Sequence, residues 1–271
     1  MRSARPPLSV MLAILAVFLC FICVVFAPLI APYGLNEIVG TSWDPPSASN
    51  LLGTDMIGRD LFSRFVWGAR ITILVASLAV LIAFLIGSGL GLLAGLRKGW
   101  LDMALSRFVD LVMSMPTLIL AMMLLTILPR SVAFIVAIIA LVEATRFFRL
   151  ARLLAADIAA LDYVEAAFLR GETTQWIIRH EILPNAITPL LAELGLRFIF
   201  SVLFLSTLSF LGLGLQPPMT DWGSLIKENK DGLLFGITAA LLPGAAIAVL
   251  ALAVTTLTDW ISGRRQGIPS P

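Results

Sequence analysis

Residues 163–185 read YVEAAFLRGETTQWIIRHEILPN, the longest polar-rich interval between the strongly apolar runs of this chain. The apolar runs on either side are each long enough to cross a bilayer. The interval itself cannot cross hydrocarbon, because each buried and unpaired polar group costs several kcal/mol. We therefore expect it to lie at a membrane surface, where a protein in the aqueous phase can reach it.

The interval predicts two short helices separated by a turn. Val164, Ala167 and Phe168 follow i, i+3, i+4 spacing, which is typical of one apolar helix face. Gly171 then predicts the turn, because glycine adopts a positive φ without steric cost. Pattern alone leaves a second interpretation open, in which the whole interval is a solvated loop between membrane helices.

The second short helix has a start signal and a stop signal. Thr173 or Thr174 can cap its N-terminus, and the helix is expected to run through Ile178. Pro184 is expected to end it before the next apolar run, because proline cannot donate the helical hydrogen bond.

Composition predicts a polytopic membrane protein. Of 271 residues, 59% are apolar and 13% are charged, and the mean hydropathy is +0.98. Soluble domains are roughly 45–50% apolar and about 25% charged. The net charge of +2 says nothing about nucleic acid, but the sequence has no basic cluster with interleaved aromatic residues, so we expect no nucleic-acid partner.

Sequence motifs for catalysis and metal binding are missing. Cys20 and Cys23 form a CxxC inside an apolar run, so we interpret them as packing residues, and one histidine cannot form a His-pair metal motif. There is no Walker A sequence, so we expect the chain to bind no cofactor and not to hydrolyse ATP.

Six membrane spans are predicted. The first has no charge over its whole length, so it is expected to be a retained helix and not a cleaved signal. Pro116 breaks the third, whereas the fourth can continue as a helix past the membrane surface because no Gly or Pro occurs between Arg130 and Arg170. The spans are 8–30, 71–96, 108–128, a fourth that opens at 131–142, 186–215 and 235–261, and the loops include 31–68, 97–107 and 216–234.

The loop before the second span has turn signals at Gly53 and Gly58, and it carries Arg59 and Asp60, which are interpreted as paired charges. We expect it to be a polar loop up to Gly68.

Two patterns within the spans predict helix contacts. Gly87, Gly91 and Gly95 lie four residues apart, so they share one face of the second span and favour close packing against another helix. Glu193 and Arg197 have i, i+4 spacing, which predicts an ion pair within the bilayer region. That pair, like Asp110 in the third span, could belong to a transport pathway, or the pair could be structural.

The 163–185 interval resembles the EAA loop of ABC-importer permeases, the membrane subunits of binding-protein-dependent uptake systems. The resemblance rests on Glu-Ala-Ala at 165–167, Gly171 and the downstream Leu183-Pro184. In that family the loop forms coupling helices that sit in a groove on the ATPase subunit. The resemblance therefore implies that the ATPase-coupling residues here are Glu165, Ala166, Ala167, Phe168, Gly171, Arg179, His180 and Pro184.

Three further segments are similar to the peptide/nickel branch of these permeases, which includes the C subunits of dipeptide and oligopeptide permeases. They are residues 53–70, 208–218 and 221–226. The resemblance implies an all-α, type I (MetI-like) importer core with one extra N-terminal helix. It implies a division into an N-terminal helix and extracytoplasmic loop at 1–68 and a MetI-like domain at 69–271. Glu181 departs from the usual Arg-His-Ile-Leu-Pro-Asn ending of the EAA loop and stands where the histidine usually does.

The resemblance also implies partners. They are a related permease chain in a heterodimer, two cytoplasmic ATPase subunits that bind ATP and Mg²⁺, an extracytoplasmic solute-binding protein and the lipid bilayer. Small peptides are the expected substrates, and nickel, a metallophore complex or a glycoside are the alternatives on the same scaffold. Outside this class, the chain could be a secondary transporter or channel that works alone.

Basic residues predict the orientation. Twelve of the 19 Lys and Arg residues fall in segments on the side of the N-terminus, six fall on the other side, and Arg197 lies within a span. Basic residues are enriched in cytoplasmic loops. We therefore expect a multi-pass protein of the bacterial inner membrane with both termini and the 163–185 interval in the cytoplasm.

Overall fold

The computed structural model describes residues 7–266. Arg2, Arg5 and the tail 267–271 lie outside the described residues, as do the side chains of Arg264 and Arg265. The described part of the chain is mostly helical, with residues 31–60 as the longest non-helical stretch. Its α-helices are α1 (Leu8–Ile30), α2 (Leu61–Arg97), α3 (Trp100–Ser114), α4 (Thr117–Ile127), α5 (Val132–Ala159), α6 (Asp162–Leu169), α7 (Thr174–Ile177), α8 (Leu183–Phe210), α9 (Trp222–Asn229) and α10 (Leu241–Gln266).

Among the described residues, four helices are long and apolar enough to cross a membrane. α3 and α4 add a fifth span if they count as one, although they are bent by 92°. The predicted fourth span, α5, is not among them because it carries Glu143, Arg146 and Arg149. α5 packs against α2, α3, α4 and α8, so it does not need the composition of a lipid-facing helix. The four are Leu8–Ile30, Leu61–Arg97, Thr174–Phe210 and Leu241–Gly263.

The bounds of α1 confirm the first predicted span, whereas α2 begins ten residues earlier than predicted, at Leu61. Asp60 caps α2 by accepting a hydrogen bond from the Ser63 backbone N–H at 2.7 Å, and it is not paired with Arg59 as the sequence suggested. The predicted domain boundary at 68/69 therefore falls inside a continuous helix.

The predicted basic loop at 97–107 is almost entirely helical. α2 continues to Arg97 and α3 begins at Trp100, so only Lys98 and Gly99 connect them. The third predicted span is broken at Pro116, as expected. The helices on either side of the break, α3 and α4, are bent by 92° relative to each other.

α5 continues beyond its predicted apolar part but ends at Ala159, and α6 starts as a separate helix at Asp162. The sequence carries no Gly or Pro at this break. The chain turns there because α6 packs its apolar side back onto the bundle, and tertiary packing outweighs local helix propensity.

The predicted loop at 216–234 also contains a helix, α9, which Asp221 caps with a capping box, and a 3₁₀ helix, Lys230–Phe235, follows. Trp222 is 1% exposed: its backbone N–H donates to Thr72 Oγ1, and its ring stacks on Phe65 at 5.7 Å. The sixth span consequently begins at Leu241, later than predicted.

The bundle has two ends, which we call the α6 end and the α9 end. α9 packs against the beginning of α2, whereas Val164 and Ala167 of α6 pack near Leu92 and Leu96 at the end of α2. A helix of 37 residues rises about 54 Å, so α2 runs the full length between the two ends.

Candidate functional site

The inner face of α6 is anchored in the core. Val164 and Ala167 are fully buried in one apolar cluster with Leu92 of α2 and Ala151 of α5. Ile177 and several α8 residues belong to the same cluster. This cluster therefore packs the 163–185 segment against the ends of three long helices, α2, α5 and α8. A displacement of α6 must therefore be transmitted to α2 and α5, because close-packed interiors compress little.

The outer face of α6 remains uncovered. Phe168 is 46% exposed and Leu169 is 83% exposed, and Glu165 and Arg170 are exposed beside them. The sequence pattern grouped Phe168 with Val164 and Ala167 on one apolar face, but the structure separates it from them. Ala166 is half-buried between the two faces.

Several exposed apolar residues here were missed by sequence reasoning. Leu161, Tyr163 and Leu169 lie in α6 or directly before it, and each is more than two-fifths exposed. Their signal in the sequence was only that large apolar residues are unusual in a polar interval. With Phe168 they make four large apolar side chains that are exposed within nine residues, a concentration that favours protein–protein contact.

Gly171 ends α6 in a Schellman motif. Its φ is +78°, and its backbone N–H donates to the Phe168 carbonyl at 3.0 Å while the Glu172 N–H donates to the Ala167 carbonyl at 3.2 Å. A Cβ at Gly171 would meet no atom within 4 Å. The glycine is therefore required by its backbone conformation, and not by close approach of another element of this chain.

The second helix of the segment begins as predicted. Thr173 caps α7 by accepting a hydrogen bond from the Trp176 N–H at 3.3 Å. The His180 ring stacks on the Trp176 ring at 4.6 Å, and His180 Nδ1 lies 3.0 Å from the Trp176 carbonyl oxygen. Arg179 is exposed beside His180.

The prediction that Pro184 ends this helix is wrong. A π-helical turn, Ile178–Ile182, joins α7 to α8, so the helical path runs without a break from Thr174 to Phe210. Pro184 lies in the first turn of α8, where its missing N–H removes no essential bond because the π-turn has shifted the hydrogen-bond register. Asn185 Nδ2 donates to the Glu181 carbonyl at 2.7 Å and to Tyr163 Oη at 3.2 Å, which ties α8 to α6.

The three glycines of α2 lie along its contact with α5. A Cβ at Gly87, Gly91 or Gly95 would come within 2.4–2.5 Å of the carbonyl oxygens of Ala144, Phe148 and Arg152 respectively. The residue numbers rise together on both helices, so α2 and α5 run parallel. Their backbones lie too close for any side chain, so the two helices form one tightly packed pair.

The predicted ion pair within the spans is part of a larger cluster. Arg197 Nε donates to Glu193 Oε1 at 2.5 Å, and Arg197 Nη1 lies 3.7 Å from Glu143 Oε2 on α5. Glu143 is also 3.8 Å from Arg146, and its side chain is almost fully buried. Sequence reasoning missed Glu143, because nothing local links it to Arg197. Asp110 takes no part in this cluster and pairs with Arg149 at 2.7 Å.

A second charged network lies at the α9 end. Asp55 accepts from Arg59 at 2.7 Å and from Arg64 at 2.6 Å, and both arginines also contact Glu228 of α9. Burial opposes ionisation of Asp55, but hydrogen bonds from the Arg59 and Ile57 N–H groups and the two guanidinium charges lower its pKa overall. The network fastens the predicted 31–68 loop to α2 and α9.

Comparison with known proteins identifies the scaffold. Residues 87–266 match the family described as binding-protein-dependent transport system inner membrane component. The chain belongs to this family. This chain is 34% identical to the dipeptide transport system permease protein DppC of Alkalihalophilus pseudofirmus, over 87% of this chain and 78% of that protein. It is 36% identical to the probable D,D-dipeptide transport system permease protein DdpC of Escherichia coli K12, over 94% and 86%.

A further relative and one solved structure extend the comparison. The glutathione transport system permease protein GsiD of Pectobacterium atrosepticum is 34% identical over 79% of this chain and 71% of that protein. A chain of the MetNI methionine ABC transporter in an inward-facing conformation aligns with a TM-score of 0.59 at 20% identity, covering 74% of this chain and 95% of that chain. The transport component therefore has the MetI-like all-helical fold and is a multi-pass inner-membrane protein.

Proposed function

We propose that this chain is the permease subunit of an ATP-driven importer of small peptides and forms half of the translocation pathway. The family and the peptide-transport permeases similar to it over most of its length support a peptide importer. In the proposed complex, the partner is a second, related permease chain. Two cytoplasmic ATPase subunits bind ATP and Mg²⁺, and a solute-binding protein delivers the substrate from outside.

The exposure of Phe168 and Leu169 on α6 is the observation that carries this proposal. Val164 and Ala167 fix the inner side of α6 to the long helices, while Phe168 and Leu169 are left to face a partner. Buried aromatic anchors supply much of the energy of protein–protein contacts. A rigid helix that is anchored on one side and exposes Phe168 and Leu169 on the other suits a part that passes displacement from an ATPase groove to the membrane helices.

The proposed orientation places both termini and the α6 end in the cytoplasm. The excess of Lys and Arg residues on that side supports it. The α9 end then faces the binding protein.

The peptide substrate follows from the relatives, and the same scaffold could serve nickel, a metallophore complex or a glycoside. A secondary transporter that works alone is the competing class, for which the Glu143–Arg197 cluster would be an ion site. A lone transporter needs no ATPase, so recovery of ATPase subunits with the purified chain discriminates between the two classes.

The test of the proposed function uses Phe168→Ala and Gly171→Asp in the reconstituted complex. Both variants should remain in the membrane, cut transport sharply and abolish the stimulation of ATP hydrolysis by loaded binding protein. Loss of an aromatic anchor costs about 2 kcal/mol, or about 30-fold in affinity. Gly171→Asp should also reduce recovery of the ATPase subunits, because a non-glycine residue at positive φ costs about 1–2 kcal/mol and disturbs the turn.

Gly99→Asp is the matched control. Gly99 has a φ of +86°, a Cβ there would also meet nothing within 4 Å, and it lies at the same end of the bundle between α2 and α3. Its ψ of −150° places it in a region that is almost exclusive to glycine, so Gly99→Asp should impose at least as much strain, and the same charge, while transport persists. Wild-type transport and full ATPase stimulation in both Phe168→Ala and Gly171→Asp would show that the segment is only a connector.

A further inference from the structure

The ionic cluster between α5 and α8 lies far from the helix ends. Glu143 is about 16 Å from the start of α5, and Arg197 is about 20 Å from the end of α8, at 1.5 Å per residue. Charges at such depth are costly unless they are paired, and they are seldom kept without a role.

The pairing within this cluster is incomplete. Arg197 makes its short hydrogen bond to Glu193 on its own helix, whereas its Nη1 is 3.7 Å from Glu143 Oε2. Neither Glu143 Oε2 nor Arg197 Nη1 has a hydrogen-bond partner, although both atoms are buried. A static structural bridge would be expected to satisfy both atoms, because an unsatisfied buried polar group costs about 1–3 kcal/mol. The geometry is that of a contact able to shorten.

The two helices that this contact joins are the ones that flank the 163–185 segment. α5 leads into α6, and α8 continues the path from α7 without a break. Within the described residues, Glu143–Arg197 is the one ion pair between α5 and α8. The carbonyl oxygen of Ala144, the neighbour of Glu143, lies against Gly87, so Glu143 is next to the close contact between α5 and α2.

We propose that Glu143 is a positioning residue for transport, which passes movement of α8 to the α2–α5 pair through Arg197. The inference rests on the proposed function, since it assumes that an ATPase moves the 163–185 segment. When α8 is displaced, Arg197 closes on Glu143, and the closely packed α2–α5 pair moves with α8. Without the carboxylate, only the apolar packing between α8 and α5 transmits the displacement, and part of each ATP-driven movement is lost.

The test measures transport and ATP hydrolysis in the same proteoliposomes, with the complete complex and loaded binding protein. Glu143→Gln keeps the side-chain shape and removes the charge. We expect ATP hydrolysis still to be stimulated, while transport per ATP falls about fivefold. Glu143→Asp keeps the charge and should recover part of the ratio.

Asp110→Asn is the matched control. It removes another carboxylate that pairs with an α5 arginine, Arg149 at 2.7 Å, but that pair joins α5 to α3. Transport per ATP should not change in this variant. If Glu143→Gln does not assemble, Arg197→Lys provides an independent test, because one ammonium cannot contact both Glu193 and Glu143 as a guanidinium does. Transport per ATP should fall in this variant as well, and an unchanged ratio would overturn the proposal.

The proposal is overturned if transport per ATP is unchanged in Glu143→Gln. This holds whether both rates stay at the wild-type level or fall in proportion, as they would for a purely structural residue. Failure of the proposed function gives a different result, because the wild-type complex itself would then show no stimulation of ATP hydrolysis by loaded binding protein.

Discussion

Gly91→Ala tests the close packing of α2 on α5 with the smallest possible change. A Cβ at Gly91 would lie 2.5 Å from the Phe148 carbonyl oxygen and 2.8 Å from Ala151 Cβ. Ordinary contacts begin at 3.4 Å, so the two helices must separate by about 0.9 Å at this point. Gly89, two residues away on the same helix, offers the control, because a Cβ there would meet nothing within 4 Å.

The two variants share one energy term and differ in another. Each replaces a mid-helix glycine by alanine, which favours the helix by about 1 kcal/mol. Only Gly91→Ala adds an overpacking cost of about 1–3 kcal/mol. The difference between the variants therefore isolates the packing cost, and Gly91→Leu should be worse than Gly91→Ala because no flexible group can give way.

The assay is heat-induced unfolding of the purified complex in detergent, with transport measured in parallel. The midpoint for Gly89→Ala should equal or exceed that of the wild type, and the midpoint for Gly91→Ala should be clearly lower. Equal midpoints for the two variants would refute the reasoning, since they would mean that this face of α2 meets lipid and not the α5 backbone.

Two further predictions concern orientation and the α9 end. In a chain without the two native cysteines, Gly171→Cys should react with a membrane-impermeant thiol reagent only from the inside. Leu234→Cys, at an 85% exposed position, should react only from the outside. Labelling of position 171 in intact cells would contradict the proposed topology. Asp55→Asn should lower thermal stability at pH 7, because the folded pKa of Asp55 lies below its ordinary value. The stabilisation by this carboxylate is lost only as pH falls through that lowered pKa. Burial raises the pKa of Asp221, so ionisation of this carboxyl destabilises the fold as pH rises. Asp221→Asn should therefore leave the stability at pH 7 equal or higher, because asparagine also caps helices. Equal losses in the two variants would contradict this contrast.

Features that depend on local physics could be read from the sequence. The bounds of α1 follow from a charge-free run of bilayer length, and the positive φ of Gly171 follows from its place between two short helices. The spacing of Gly87, Gly91 and Gly95 put them on one face, because helical periodicity is a property of the segment itself.

Features that depend on partners distant in the chain were settled only by the tertiary structure. Arg64 pairs with Glu228, 164 residues away, and no local pattern links the two. Val164 is buried while Phe168, one turn later, is exposed, because the long helices cover one side of α6 only. The sequence by itself therefore determined a helical membrane protein with a polar surface segment. Which residues anchor that segment, which face a partner and which charges meet within the bundle were decided by packing, since burial and ion pairing depend on which helices become neighbours.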